Sequence, residues 1–176
     1  ICKIPILNKK TLRKRGHDLL SREFNKFKLK HGKTGGTTGS PVKVFKDVNN
    51  RTFTWASYYR WYDWMGIDYS ENIVTFWGSS TVLSSSFKDN IISSVQQFIQ
   101  NEIYLNTFEM SYDNMIKYAK RIQKSKPVLI KGYLSAIIEF AKFEEKNNYK
   151  FNSVKAISTT TETLLPHNRN YIEKVF

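Results

Sequence analysis

The sequence predicts an α/β domain with a mostly parallel sheet flanked by helices. Two observations carry this. Short apolar or alternating runs at 72–77, 102–108, 127–130 and 154–158 read as strands. Amphipathic stretches following 111, following 132 and starting near Pro166 separate or follow them. Strands alternating with helices of this length call for βαβ units and a parallel sheet. A chain of 176 residues with 40% hydrophobic and 15% aromatic residues can fill one core of ordinary size without disulfides or metal. It contains neither an internal repeat nor a low-complexity segment.

Each element has a local signature. Asn8 can cap a first helix that buries Leu12, Leu19 and Leu20 and turns Lys9, Lys10, Arg13, Lys14 and Arg15 to water. Residues 27–31 alternate as a strand does, a Gly/Thr loop follows, and 42–46 alternate again, so the loop joins two strands of a hairpin. Asn49 or Asn50 can cap the next helix, which runs toward Gly66. It carries Phe53, Trp55, Tyr58, Tyr59, Trp61, Tyr62 and Trp64 on more than one face, which predicts burial on two sides. The run Asn72-Ile73-Val74-Thr75-Phe76-Trp77 reads as a buried strand, 91–99 as a helix, and 102–108 as a strand. Ser111 caps a helix whose inner face is Met115, Ile116, Tyr118, Ala119 and Ile122. A short buried strand from Pro127 ends at Gly132, and Leu134, Ile137, Ile138 and Ala141, with Phe140 or Phe143 or both, line the helix after it. A strand at 154–158 and a helix from Pro166 complete the order.

Composition narrows the function. One cysteine, Cys2, builds neither a disulfide framework nor a cysteine zinc site, and fits a reducing, cytoplasmic setting. No apolar run reaches membrane-spanning length. The net charge is +13, and residues 1–50 hold 13 Lys and Arg against 3 Asp and Glu. Such a balance is met on nucleic-acid-binding surfaces and also on ordinary solvated, lysine-rich faces. The absence of an initiating Met and an apolar last residue within an amphipathic helix read as a piece of a longer protein.

The segment that carries chemistry is Thr34-Gly35-Gly36-Thr37-Thr38-Gly39-Ser40-Pro41-Val42-Lys43. Three glycines in five positions let backbone N–H groups converge on one anion. Thr34, Thr37 and Thr38 add hydroxyl donors, and Lys43 adds a positive charge. A polyphosphate suits this set. A Walker-type loop does not fit: Gly32-Lys33-Thr34 would need a glycine where Phe27 stands, and a strand rather than a helix follows.

The same ten residues resemble the signature loop of the adenylate-forming (AMP-binding) enzymes, Thr-Ser-Gly-Thr-Thr-Gly-x-Pro-x-Lys, with Gly35 in the Ser position. Three further segments resemble one branch, the phenylacetate–CoA ligase and CapK-like capsular polysaccharide biosynthesis group. They are Ile4-Pro5-Ile6-Leu7-Asn8-Lys9, Lys126-Pro127-Val128-Leu129-Ile130-Lys131-Gly132-Tyr133-Leu134-Ser135, and Ile157-Ser158-Thr159-Thr160-Thr161-Glu162-Thr163-Leu164.

The resemblance implies that residues 1–176 are part of a large N-terminal AMP-binding domain, truncated at both ends and without the mobile C-terminal domain. It implies ATP-dependent activation of a carboxylate to an acyl-adenylate, then transfer to a thiol, usually coenzyme A, with Mg2+ shielding the triphosphate. Thr34, Gly35, Gly36, Thr37, Thr38 and Gly39 would meet the β- and γ-phosphates, with Lys43 as a supporting charge. Thr160, Thr161 and Glu162 match the turn that holds adenine, with Thr standing where the family has Gly. Tyr133 and Ser135 match a segment near the acyl pocket. A Tyr packed at a helix start and a Ser capping that helix is the plainer reading of that pair, and Glu162 could equally cap the helix that follows it. His31 could orient an anion or simply pack. The family's catalytic lysine lies outside these residues, so the expectation for this piece alone is no ligase activity. A reading from another class is a basic nucleic-acid-binding module whose rings stack on bases, although no RNP, KH or zinc-finger pattern is present.

Overall fold

The computed structural model describes residues 5–22, 29–33, 42–78 and 100–176. The Gly/Thr loop, the stretch at 23–28 and the expected helix at 91–99 lie outside the described residues. The chain divides into two compact units, 1–60 and 61–176.

In the first unit, α1 (Lys9–Arg15) begins where Asn8 caps it, its Oδ1 accepting from the Thr11 N–H at 2.9 Å. A 3-10 turn (Gly16–Leu19) follows in place of a continued helix. Leu19 is exposed rather than buried, because this tighter turn breaks the helical spacing that would have aligned it with Leu12. Strands β1 (Lys30–Lys33) and β2 (Lys43–Lys46) pair antiparallel, with Lys30 opposite Lys46, His31 opposite Phe45, Gly32 opposite Val44 and Lys33 opposite Lys43. The Gly/Thr segment is therefore the connection between two paired strands, as its flanking alternation predicts.

Helix α2 (Val48–Trp64) leaves β2 directly. Its cap is Asp47, whose Oδ1 accepts from the Asn50 N–H at 2.6 Å, and not Asn49 or Asn50. Burial on two sides is not observed: Phe53 is 73% and Trp64 71% exposed, whereas Tyr62 is buried. Rings and polar residues are spread around the helix without a single apolar stripe, so only part of its surface can meet a core.

The second unit holds β3 (Ile73–Trp77), β4 (Glu102–Asn106), α3 (Tyr112–Ser125), β5 (Leu129–Tyr133), α4 (Leu134–Asn147), β6 (Ala156–Thr160) and α5 (Pro166–Val175). The four strands form one parallel sheet in the order β4-β3-β5-β6. Alternation splits the central strands between two cores. Val74, Phe76 and Ile130 point to the face covered by α3, α4 and α5, where they meet Ile122, Ile137, Phe140 and Ile172. Ile73 and Leu129 point to the other face, against Tyr62 and Ile67. Ser111 caps α3, its Oγ accepting from the Asn114 N–H, and Phe140 and Phe143 are both buried. Gly132 is required in β5: its φ of +153° disfavours other residues, and a Cβ there would strike the carbonyl of Phe76 on the neighbouring strand.

Candidate nucleotide and acyl site

The first unit presents the ends of the Gly/Thr loop. Thr34, Gly35, Gly36, Thr37, Thr38 and Gly39 are outside the described residues, while Lys43 is placed: it opens β2, exposed, opposite the backbone of Lys33. The loop thus starts and ends on one register pair, which fixes both its ends on a paired ribbon. His31, on the same face as Lys43, is edge-on to Phe45 with ring centroids 5.0 Å apart. His17 meets the same ring at 4.8 Å. His31 is exposed apart from this ring contact.

The second unit brings the remaining candidates together at the carboxyl end of its sheet. The chain leaves β3 toward β4 on one side, and leaves β5 toward β6 on the other, so β3 and β5 flank a topological switch point. Open parallel sheets bind ligands in the crevice at such a point. Tyr133 lies there: its hydroxyl donates to the Gly78 carbonyl (3.3 Å), and its ring packs on Trp77 at 4.6 Å. Gly78 has neighbours on a third element, since a Cβ there would come within 2.6 Å of Thr107 Oγ1 and 2.9 Å of the Phe108 ring. In the sequence Trp77 and Phe108 read only as strand residues, and Gly78 carried no site signal. The usable signal was that each ends or follows a strand.

One strand over, Thr160 ends β6 opposite Tyr133. Thr161 takes φ +73°, a left-handed conformation that is a true outlier for a β-branched residue. The chain holds this turn with strain. Glu162 comes back over the sheet end: its Oε1 accepts from the Ser135 hydroxyl (2.8 Å) and weakly from the Ser135 N–H (3.4 Å). It therefore caps α4, the helix before it, and α5 begins at Pro166 after an N-cap residue, Leu165, that makes no side-chain cap. Ser135 reaches Glu162 instead of capping α4 itself. A groove of about 500 Å3 runs along β6 from Val154 to Thr159 and reaches Leu164 just past this turn.

Beneath the sheet lies a buried polar group of four residues. Thr75 Oγ1 donates to Glu102 Oε1 at 2.5 Å, Lys131 Nζ sits 3.0 Å from the same oxygen, and Lys131 donates to the Tyr62 hydroxyl at 2.9 Å. Burial disfavours the Lys131 charge, but the Glu102 carboxylate and the Tyr62 hydroxyl hold its pKa above the ordinary lysine value. This group joins β3, β4, β5 and the end of α2, two residues below Tyr133.

A second buried ionisable group has no such partner. Glu144 in α4 is 1% exposed and neither of its carboxyl oxygens is hydrogen-bonded among the described residues. Burial pushes its pKa up to about 9.

The fold and the comparisons agree. A 2-hydroxyisobutyryl-CoA ligase, solved with 2-hydroxyisobutyryl-AMP and CoA in the thioesterification state, superposes with a TM-score of 0.66 at 15% identity, over 98% of this chain and 37% of that one. An open conformation of the same ligase gives 0.67 at 13% identity, over 98% and 40%. No protein-family model matches the chain. These solved structures share the fold of this chain. In sequence, the chain is similar to Protein CapK of Staphylococcus aureus, 24% identical over 179 residues, which is 100% of this chain and 38% of that protein. The chain thus spans well under half the length of the proteins it matches.

Proposed function

We propose that these residues belong to the large N-terminal domain of an acid–thiol ligase, and that the ribbon-held loop binds the triphosphate of ATP. The observation that carries this reading is the pairing of Lys33 with Lys43, which anchors a Gly/Thr segment of phosphate-binding composition by both ends on a fold shared with CoA ligases. Backbone N–H groups at Gly35, Gly36 and Gly39 and the hydroxyls of Thr34, Thr37 and Thr38 would donate to β- and γ-phosphate oxygens. Lys43 offsets charge without moving a proton. The acid attacks the α-phosphate, giving acyl-adenylate and pyrophosphate, and a thiol then takes the acyl group. The protein's share of the first step is positioning and charge stabilisation.

Mg2+ would be carried chiefly by the triphosphate, since among the described residues no group of three His, Cys, Asp or Glu could hold a metal. Coenzyme A is the acceptor we propose. Thr160, Thr161 and Glu162 would border the adenine, and Tyr133 the acyl group. In this reading Ser135 acts through Glu162, as its hydrogen-bond partner. The resemblance of the motifs to the CapK-like group favours a setting in surface polysaccharide synthesis, and the chain is similar to Protein CapK.

The test is carboxylate-dependent exchange of labelled pyrophosphate into ATP by the whole protein that contains this chain. Exchange stimulated by a carboxylic acid supports the reading, and its absence across aliphatic, hydroxy and aromatic acids would count against it. The 176-residue piece alone should show none.

A further inference from the structure

Thr161 carries strain on the surface, where packing does not demand it. Its φ of +73° is left-handed, and it is exposed, as are Thr160 and Glu162 beside it. A glycine would take the same φ without strain and would leave no cavity. Strain of this kind persists only where the surroundings fix the neighbouring residues, and it gathers at ligand clamps.

The surroundings here are a single junction, where β5 gives way to α4. Tyr133, the last residue of β5, stands opposite Thr160 in the parallel ladder. Two residues on, Ser135 donates its hydroxyl to Glu162 Oε1 at 2.8 Å, and its N–H reaches the same oxygen at 3.4 Å. The residues on either side of Thr161 are thus both gripped by that junction, and Thr161 takes the φ that closes the span between them. The Thr161 hydroxyl donates back to the Thr160 carbonyl at 2.6 Å. Of the two grips, the ladder belongs to the sheet, and the Ser135–Glu162 bond is the separable one. The turn lies at the carboxyl edge of a parallel sheet, the edge at which open sheets of this kind bind ligands.

We propose that Ser135 is a positioning residue for the nucleotide: by holding Glu162 it keeps Thr161 left-handed, and with it the 160–162 turn in the shape that meets the base of ATP. This rests on the reading that the turn borders the adenine. Ser135 itself touches no substrate. Without its bond Glu162 is released, Thr161 relaxes to an ordinary negative φ, and the peptide groups on both sides of it turn away from the base. The triphosphate, bound by the loop between β1 and β2, does not register the change.

Calorimetric titration of the whole protein that contains this chain, with Mg-ATP and with Mg-tripolyphosphate, tests this. Tripolyphosphate offers the phosphate chain without a base. Ser135→Ala should bind Mg-ATP about tenfold more weakly, as fits the loss of one hydrogen bond to a carboxylate, and should bind tripolyphosphate as before. Ser135→Thr keeps the hydroxyl and should restore Mg-ATP binding. On a Thr161→Gly background the turn holds its shape without the grip, so there Ser135→Ala should leave Mg-ATP affinity nearly unchanged. Undiminished Mg-ATP affinity in Ser135→Ala overturns the proposal, as does equal weakening for both ligands or a loss as large on the glycine background. If the unaltered protein binds Mg-ATP no better than tripolyphosphate, the turn meets no base, and the proposal falls while the phosphate loop stands. If it binds neither, the ligase reading falls and the proposal with it.

Discussion

Removing the Glu144 carboxyl should change how stability depends on pH, and the structure fixes both sign and size. The side chain is 1% exposed without a hydrogen-bond partner among the described residues, and burial pushes its pKa from 4.5 up to about 9. A carboxyl whose folded pKa lies above its unfolded value holds its proton in the folded state after the unfolded chain has released it. Between about pH 4.5 and 9 the folded state therefore binds more protons, and stability falls by up to about 1.4 kcal/mol per pH unit. From well below pH 4.5 to pH 7 the accumulated cost is at most about 3.5 kcal/mol, a sizeable part of a domain's stability. Glu144→Gln keeps the shape and removes the titration, and Glu144→Leu also removes the unpaired polar atoms. Urea unfolding of the three proteins at pH 5, 6, 7 and 8 reads the effect. The difference between either variant and the unaltered chain should widen steadily with pH in the variant's favour. Parallel curves over that range would refute the reasoning, since they would mean that the carboxyl is partnered or hydrated in the folded state.

Two further outcomes follow from the sheet. Lys131→Met leaves the Glu102 carboxylate buried without its cation and should cost about 3 kcal/mol or more, while adding Glu102→Met should recover most of the loss in a double-mutant cycle. A single variant as stable as the unaltered chain would show the pair to be open to water. Thr161→Gly should stabilise by about 1 kcal/mol by relieving the φ of +73°, whereas Thr161→Ala should gain little because it keeps a Cβ. Thermal melts of the two variants separate strain from the loss of the hydroxyl.

Much of this architecture was legible in the residues. Asn8, Ser111 and Pro166 mark helix starts because capping and N1 chemistry is local, and the apolar spacing of α3 and α4 gave their buried faces. The runs at 72–77 and 127–130 read as strands because a parallel sheet covered on both faces needs nearly continuous apolar residues. What failed depended on other elements. The ring content of α2 suggested burial on two sides, but burial is decided by what packs against a helix. The partner of Glu162 was misread because its nearest helix in sequence is α5, whereas the sheet brings the start of α4 to it across 27 residues. The Thr75–Glu102–Lys131–Tyr62 group could not be read at all, since four strand or helix positions spread over 70 residues meet only through strand order. Glu144 occupies a position on α4 where helical spacing places a core residue, and the sequence offers no sign of how its carboxyl is accommodated.

The central claim is that the segment between β1 and β2 binds the phosphates of ATP. Hydrogen exchange of the chain with and without Mg-ATP tests it most directly, with a Thr37→Ala, Thr38→Ala variant beside it. The account predicts slowed exchange at residues 34–43 on adding Mg-ATP, and a much smaller change in the variant. Unchanged exchange across 34–43 at saturating Mg-ATP, or equal protection in the variant, would contradict it.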